Sequence, residues 1–338
     1  RPPRSTLFPY PTLFRSGSGH VGANLVRQLL EKGWTVRCLV HKDTRALENL
    51  DVECVQGDII NPGQLTPKLK GIDTVFHCAA YVAVESVDIP LMETINIKGT
   101  EAICEASISA GVERLIHFSS IHAFQQNPTY TALTEKRPLT KNDQKVDTYD
   151  RTKAEAQRRV VTICKKGINA SIINPTGIIG PHDYKPSRMG KVIIDMATGK
   201  MPIAINNGFN WVDVRDVCKT AINCVEMGRQ GQHYILPGKW AYFREITDVI
   251  ASLLARRITY LTLPFWTAYL ALPFATIKSN LTGQRPSFSR GSPHTLAVQC
   301  KEIPGTLAKN ELLHRPRSLE NSIRDTVQLL IEKEQIKL

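Results

Sequence analysis

The chain has 338 residues, 42% of them hydrophobic, and 43 Lys and Arg against 31 Asp and Glu give a formal charge of +12. That length exceeds one ordinary domain and allows a sizeable core. The basic residues are scattered, with no aromatic-interleaved basic run, which argues against a nucleic-acid partner and leaves solubility and attraction for an anionic cofactor as the roles of the charge. The eight cysteines show neither zinc nor disulfide spacing. Cys38, Cys54, Cys78 and Cys104 sit in apolar runs where a small hydrophobe suffices, so a reduced, cytoplasmic protein without a metal site is expected.

Residues 1–16 do not match the rest of the chain. Pro9 and Pro11 break the short apolar pieces, no signal-type apolar region forms, and Thr6 to Ser16 is similar to the translation of a sequencing-library adapter. This foreign junction occupies the place where a dinucleotide-binding chain needs its first strand. Thr12-Leu13-Phe14 is the only candidate, as a short or irregular strand. Next, Gly17-Ser18-Gly19-His20-Val21-Gly22 opens an amphipathic helix from Val21 to Lys32. Glycines let backbone approach a pyrophosphate, and a helix N-terminus supplies free N–H groups and a favourable dipole.

The strand Thr35 to Val40 ends in His41-Lys42-Asp43-Thr44-Arg45. Basic residues there suit a 2′-phosphate and a carboxylate suits a ribose hydroxyl. His41, Lys42 and Arg45 tilt the reading to NADP, with NAD through Asp43 left open. Strands Asp51 to Gln56, Asp73 to His77, Arg114 to Phe118 and Asn169 to Asn174 alternate with helical patterns, a run of βα units with chemistry at the strand ends. After His77, the small residues Cys78-Ala79-Ala80 would let a ribose and phosphates lie against backbone. His77 has no partner at ligand spacing and reads as a hydrogen-bonded structural histidine.

Tyr149 and Lys153 are four apart on a helix-compatible run ending at Lys166, so both project from one face. A solvated helix face often carries such a pair. Placed beside each other, the ammonium favours the phenolate, so Lys153 is expected to lower the Tyr149 pKa and fit the phenol for proton exchange with a substrate. Ser119-Ser120 closes the apolar segment before it, and a hydroxyl there could hold a carbonyl.

In order, Gly19-His20-Val21-Gly22, Gly57-Asp58-Ile59, His77-Cys78-Ala79-Ala80, Asn96-Ile97-Lys98-Gly99-Thr100, Ser119-Ser120, Tyr149-x-x-x-Lys153 and Asn174-Pro175-Thr176-Gly177 make the chain resemble an extended short-chain dehydrogenase/reductase. The similarity is to the NAD-dependent epimerase/dehydratase superfamily, in the branch of dihydroflavonol reductase-like and 3β-hydroxysteroid dehydrogenase-like proteins. It implies a doubly wound parallel α/β sheet of Rossmann type with a smaller C-terminal substrate lobe. Residues 17–180 would form the nucleotide domain and 181–338 mainly the lobe, with 205–230 returning to the core.

The resemblance also carries roles. Ser120, Tyr149 and Lys153 would be catalytic, and Lys153 would hold the nicotinamide ribose. Asn96 would support a proton relay, or else kink or cap a helix. Gly17, Gly19, His20, Val21 and Gly22 would cradle the phosphates. His41 stands where relatives carry arginine, and Asp58 and Ile59 lie where the family contacts adenine, although Asp58 could equally cap a helix. Ala79, Ala80, Pro175 and Ile178 would line the cofactor. His122, Tyr184 and Arg188 are candidate substrate contacts, with a surface or packing role open for His122. The Asp-Glu pair of sugar dehydratases and the Val-Tyr-Gly of sugar epimerases are both missing after Ser120.

Ile258 to Ile277 is uncharged for twenty residues, yet Pro264, Pro273 and its polar and aromatic residues favour a buried or interfacial helix over a membrane span. It would line an apolar substrate pocket, with peripheral membrane contact open. The expected activity is an NAD(P)-dependent oxidoreductase on a ketone or secondary alcohol, with a small, apolar molecule as partner and a homodimer left open. The alternatives are an epimerase using the same triad and an inactive nucleotide-binding regulator.

Overall fold

The computed structural model describes residues 12–15, 19–41, 43–81, 88–143, 146–201, 203–256, 258, 261–263 and 299–336. From β1 (Thr12–Arg15), β2 (Val36–Val40), β3 (Glu53–Gln56), β4 (Thr74–His77), β5 (Arg114–Phe118) and β6 (Ala170–Pro175) the chain enters β7 (Gly177–Ile179), β8 (Ile203–Ile205) and β9 (Gly208–Asp213). It returns as β10 (His233–Leu236) and leaves through β11 (Lys239–Tyr242) and β12 (Leu261–Leu263). Seven strands form a parallel sheet in the order β10-β6-β5-β4-β1-β2-β3, so the direction of winding reverses between β1 and β4. In open α/β sheets that crevice, at the carboxyl ends of the strands, is where ligands bind.

Helices α1 (His20–Glu31) and α7 (Val214–Met227) cover one face, over Leu25, Leu29, Cys38, Phe76, Ile116 and Val217. The other face is covered by α2 (Leu65–Leu69), α4 (Gly99–Ala110) and α5 (Thr148–Cys164), over Leu39, Val75, Ile103, Leu115, Val160 and Ile172. Burial on both sides is why β4, β5 and β6 read as nearly continuous apolar runs rather than alternating ones. A short helix, α3 (Ile89–Glu93), runs into a π-helical turn, Thr94–Lys98, ahead of α4.

The smaller lobe holds the sheet β11-β9-β7 and the pair β12-β8. Its core, with Trp211, Ile246, Ile250, Ile323 and Val327, lies among α6 (Arg188–Ala197), α8 (Phe243–Leu253) and α10 (Leu319–Glu332). A further helix, α9 (Thr306–Glu311), precedes α10. Ion pairs fasten α10 and the segment before it to α7, with Arg215 to Asp325 at 2.6 Å and Arg317 to Asp216 at 2.9 Å.

Three features differ from the sequence expectations. The first strand is short, as expected, but includes Arg15 and pairs in register with both β2 and β4. A ladder needs only backbone N–H and C=O groups, which these four residues supply. The return to the main sheet does not stop at 230, because β10 adds its seventh strand. Within 258–277, Leu261–Leu263 is a strand parallel to β8 and not part of a helix. Pro264 comes next in the sequence and lacks the N–H that a helix running on through it would use. The remainder of the expected helix, Thr259, Tyr260 and 264–277, lies outside the described residues, and among those described no helix is long and apolar enough to cross a membrane.

Gly238 joins β10 to β11, and a Cβ there would come within 1.7 Å of the Trp211 carbonyl oxygen. Gly238→Ala should therefore push the two sheets apart and lower stability by roughly 1–3 kcal/mol. Chemical denaturation of parent and variant checks this, and an unchanged midpoint would refute it.

Candidate active site

Asp147 caps α5, its carboxylate accepting the N–H groups of Tyr149 at 2.9 Å and Asp150 at 3.4 Å. This fixes where the helix starts and hence which face Tyr149, Lys153 and Gln157 share. Lys153, 4% exposed, donates from Nζ to the Phe118 carbonyl at 3.2 Å, at the end of β5. Burial pulls its pKa down to about 8, with Cys78 pulling slightly the other way. Ser120, buried just past the end of β5, is close enough to Tyr149 for its hydroxyl to lower the phenol pKa by hydrogen bonding. The three candidate catalytic side chains therefore come together.

The electrostatics correct one expectation. The Tyr149 pKa is pushed up to about 12, first by burial, against which the Ser120 hydrogen bond works, with Asp150 and Asp147 raising it further. The net shift is upward, opposite to the lowering expected from Lys153. The ammonium donates to the Phe118 carbonyl, and a desolvated phenol keeps its proton.

His122 joins this group. Its backbone N–H donates to Ser120 Oγ at 3.2 Å, its ring lies edge-on to Tyr149 with centroids 6.2 Å apart, and Nδ1 is 3.3 Å from Asp150 Oδ1. Burial works against its protonation, but the Asp150 carboxylate outweighs this and the pKa is raised. Arg188, at the first position of α6, is exposed, and its charge lowers the pKa of both His122 and Tyr149. Sequence reasoning misses Asp150, since nothing local links it to a residue 28 positions earlier.

Asn96 lies in the π-helical turn, and both ends of its amide are engaged. Oδ1 accepts the Tyr81 N–H at 2.7 Å, while Nδ2 donates to the Tyr81 carbonyl at 3.1 Å and to Thr152 Oγ1 at 3.1 Å. It ties the chain after β4 to α5 one residue from Lys153. Among the described residues its side chain makes no hydrogen bond to Ser120, Tyr149 or Lys153. Gln157 also escapes sequence reasoning, although its spacing from Lys153 repeats the spacing of Tyr149 and Lys153. Buried, it donates to Ser119 Oγ and Asn174 Oδ1, each at 2.5 Å.

The other sequence candidates divide between the cofactor side of the sheet and places away from it. Tyr184 does not reach the triad, because its hydroxyl accepts from Arg27 at 2.8 Å and its ring stacks on His182. The His20 ring lies 3.0 Å from the Gly180 carbonyl and 3.1 Å from that of Pro181, so only its backbone is left for a phosphate. Val21 packs its side chain on the core, and the Ile59 side chain is buried against Gly99, where a Cβ would come within 2.2 Å of it. Asp58 Oδ1 accepts the Ile60 N–H at 3.2 Å, a local turn contact. Ala79 and Pro175 are buried at the ends of β4 and β6, Ala80 follows, and Ile178 is partly buried in β7. Gly17 and Lys42 lie outside the described residues. His41 is exposed beyond β2, whereas Asp43 is held by Arg45 at 2.7 and 3.0 Å, a bond that draws its pKa to about 2.

These groups gather at the carboxyl ends of parallel strands, and the family model described as the NAD dependent epimerase/dehydratase family matches residues 17–236. The chain belongs to that family. This family member is 32% identical over 255 residues to sterol demethylase protein B of Methylococcus capsulatus, covering 75% of this chain and 77% of that one. It is 32% identical over 268 residues to the mouse sterol-4-alpha-carboxylate 3-dehydrogenase, decarboxylating, covering 75% and 71%. The crystal structure of gox2253 aligns with a TM-score of 0.83 at 28% identity, over 96% of this chain and 99% of that one. The relatives bear out the dehydrogenase branch expected from the sequence, and the chain is an NAD-dependent enzyme of the extended short-chain type.

Lys153 carries a stability consequence. With its pKa at about 8 instead of the ordinary 10.5, the unfolded chain binds more protons between those two pH values. The destabilisation is full below pH 8 and fades as pH rises to 10.5. Lys153→Met should therefore raise stability at neutral pH by about 1–3 kcal/mol, with the gain shrinking above pH 8. Denaturant titration at neutral and alkaline pH checks both magnitude and sign.

Proposed function

We propose that this enzyme reduces a ketone to a secondary alcohol, and runs the reverse, with Ser120, Tyr149 and Lys153 as the working side chains. The observation that carries it is the buried Lys153 ammonium one helical turn along α5 from Tyr149, with the buried Ser120 hydroxyl close enough to act on that phenol. The cofactor fits the residues present. No side chain caps the N-terminus of α1 at Gly19, which leaves N–H groups for a pyrophosphate. Among the described residues Lys153 spends one hydrogen bond on Phe118, which leaves donors for ribose hydroxyls. Bound nicotinamide supplies or takes the hydride.

The chain's own residues handle the proton. Ser120 donates to the carbonyl oxygen, and Tyr149, protonated at neutral pH because its pKa is about 12, gives that oxygen its proton. Lys153 keeps a positive charge nearby below about pH 8, favouring the negative charge that develops on the oxygen. A phenol that keeps its proton is suited to giving it to the substrate oxygen in the reductive step. His122, held by Asp150, fixes the Ser120 turn against Tyr149.

NADPH is the preferred cofactor in this reading. The Asp43 carboxylate, which would suit a ribose hydroxyl, is already taken by Arg45, and His41 stands exposed at the strand end. The substrate is an apolar ring compound, a reading supported by the names of two relatives, a sterol demethylase protein B and a sterol-4-alpha-carboxylate 3-dehydrogenase. Arg188 beside Tyr149 and His122 suits a carboxylate near the reacting carbon.

Absorbance of reduced nicotinamide, followed with 3-oxo and 3-hydroxy steroids with and without a neighbouring carboxylate, tests the activity. Tyr149→Phe should keep cofactor binding and lose about a hundredfold to ten-thousandfold in turnover, and a loss under about threefold would remove Tyr149 from the mechanism. The reductive rate should be level below pH 8 and fall above it as Lys153 loses its charge. A rate that rises through that range would contradict the role of Lys153. In titrations NADPH should bind roughly tenfold more tightly than NADH, and tighter NADH binding would return the choice to Asp43.

A further inference from the structure

Strands β2 and β3 carry a feature that the proposed chemistry does not use. Their parallel register pairs Arg37 with Glu53, Cys38 with Cys54, Leu39 with Val55 and Val40 with Gln56. Partners in this register reach each other, since Arg37 Nε and Glu53 Oε2 are 2.7 Å apart. Leu39 and Val55 meet in the apolar cluster beneath α2 and α4. By alternation, Cys38 and Cys54 share the opposite face, where α1 lies. Both are free thiols, Cys38 fully buried and Cys54 exposed on the edge strand. Neighbouring strands lie about 4.8 Å apart, within the roughly 4.4–6.8 Å between Cα atoms that a disulfide takes.

We propose that Cys38 and Cys54 are an oxidisable thiol pair whose closure to a disulfide weakens binding of the adenosine end of the cofactor. The second half rests on the cofactor placement proposed above. The oxidant is a small external disulfide. The Cys54 thiolate attacks one of its sulfurs, forming a mixed disulfide and releasing one thiolate. The Cys38 thiolate then attacks the Cys54 sulfur, forming the internal bond and releasing the second. Two protein thiols are oxidised, one external disulfide is reduced to two thiols, and the two protons pass to the released thiolates. Burial pushes the Cys38 pKa up to about 12, so the second step is the slower and quickens with pH.

The link to the cofactor is mechanical. Side chains on parallel neighbours stand about a strand spacing apart, whereas bridged Cβ atoms are about 3.8 Å apart. Closure therefore asks for a shift of about 1 Å, and β3, paired on one side only, is the strand free to move. Two residues past Cys54, the strand ends are bonded together, with the Gly57 N–H to the Val40 carbonyl at 3.0 Å and Gln56 Nε2 to the His41 carbonyl at 3.5 Å. Gly57 is tightly enclosed, since a Cβ there would lie 2.7 Å from Leu39 and 2.9 Å from Lys68 Nζ. A shift in β3 is thus passed to Asp58 and His41, where adenosine and its 2′-phosphate would sit.

Incubating the full chain with oxidised glutathione at about pH 8, blocking the remaining thiols and mapping peptides by mass spectrometry tests the pair. NADPH affinity is measured before treatment, after it, and after dithiothreitol. A peptide linked through Cys38 and Cys54 is expected, with NADPH binding roughly tenfold weaker and restored by the reductant. Cys54→Ser should give neither effect, and Cys38→Ser should stop at a glutathione adduct on Cys54. No cross-link in the parent overturns the thiol pair, and a cross-link with unchanged affinity overturns the coupling. Failure of the untreated chain to bind either nicotinamide cofactor would instead remove the cofactor placement, and with it the coupling, while the cross-link still decides the pair.

Discussion

A protonated amine inside the protein is the constraint on which the site depends. Lys153 sits under the end of β5 with one hydrogen bond to the Phe118 carbonyl, and burial has already brought its pKa down to about 8. Keeping such a charge in place requires that its surroundings cannot relax away. Around α5, Arg151 reaches Glu93 of α3 at 2.6 Å, Thr152 meets Asn96, and Gln157 meets Ser119 and Asn174. Residues along one helix are thus tied to α3, the π-helical turn and two strand ends. The local rigidity of the site comes from these ties more than from the helix itself.

Two ionisable groups four residues apart are driven in opposite directions by the same desolvation. The amine becomes easier to deprotonate and the phenol harder, so the gap between their pKa values widens, with the phenol at about 12 and the amine at about 8. A phenol paired with a facing ammonium in water would show the reverse. Carboxylates add to the asymmetry, because Asp147 and Asp150 lie at the start of α5 beside Tyr149. The Asp147 carboxylate cannot be dispensed with, since it caps the helix. His122 lies against Asp150, and Arg188 counters both carboxylates at Tyr149.

Much of the molecule is legible in the sequence. The alternation of apolar runs with helical patterns marks the main-sheet strands from β2 to β6, and the Tyr149, Lys153 and Ser120 constellation comes together where those strands end. Local pattern stops short where a property depends on what lies opposite in space. The sign of the Tyr149 shift depends on burial and on where the Lys153 ammonium turns. Tyr184 misleads because Arg27, 157 residues away in the chain, takes its hydroxyl. Asn96 is visible as a polar residue at a helix start, but its bond to Thr152 is a tertiary fact. Leu261–Leu263, expected to be helical from the sequence, pairs instead with β8, since short apolar runs carry no decisive period.

The strand β1 is the seam of the molecule. On one side of it lie β2 and β3, whose ends point toward the proposed adenosine site, and on the other lie β4, β5, β6 and β10, whose ends carry Ser120 and the carbonyl that holds Lys153. Within the main sheet, β1 alone is bonded to both groups, through four residues paired with Val36 to Leu39 and with Thr74 to His77. Each half keeps its own ladders if that seam loosens. A weak β1 would therefore show itself less as fraying than as misalignment, with the half that would grip the nucleotide drifting out of step with the half that would move the proton.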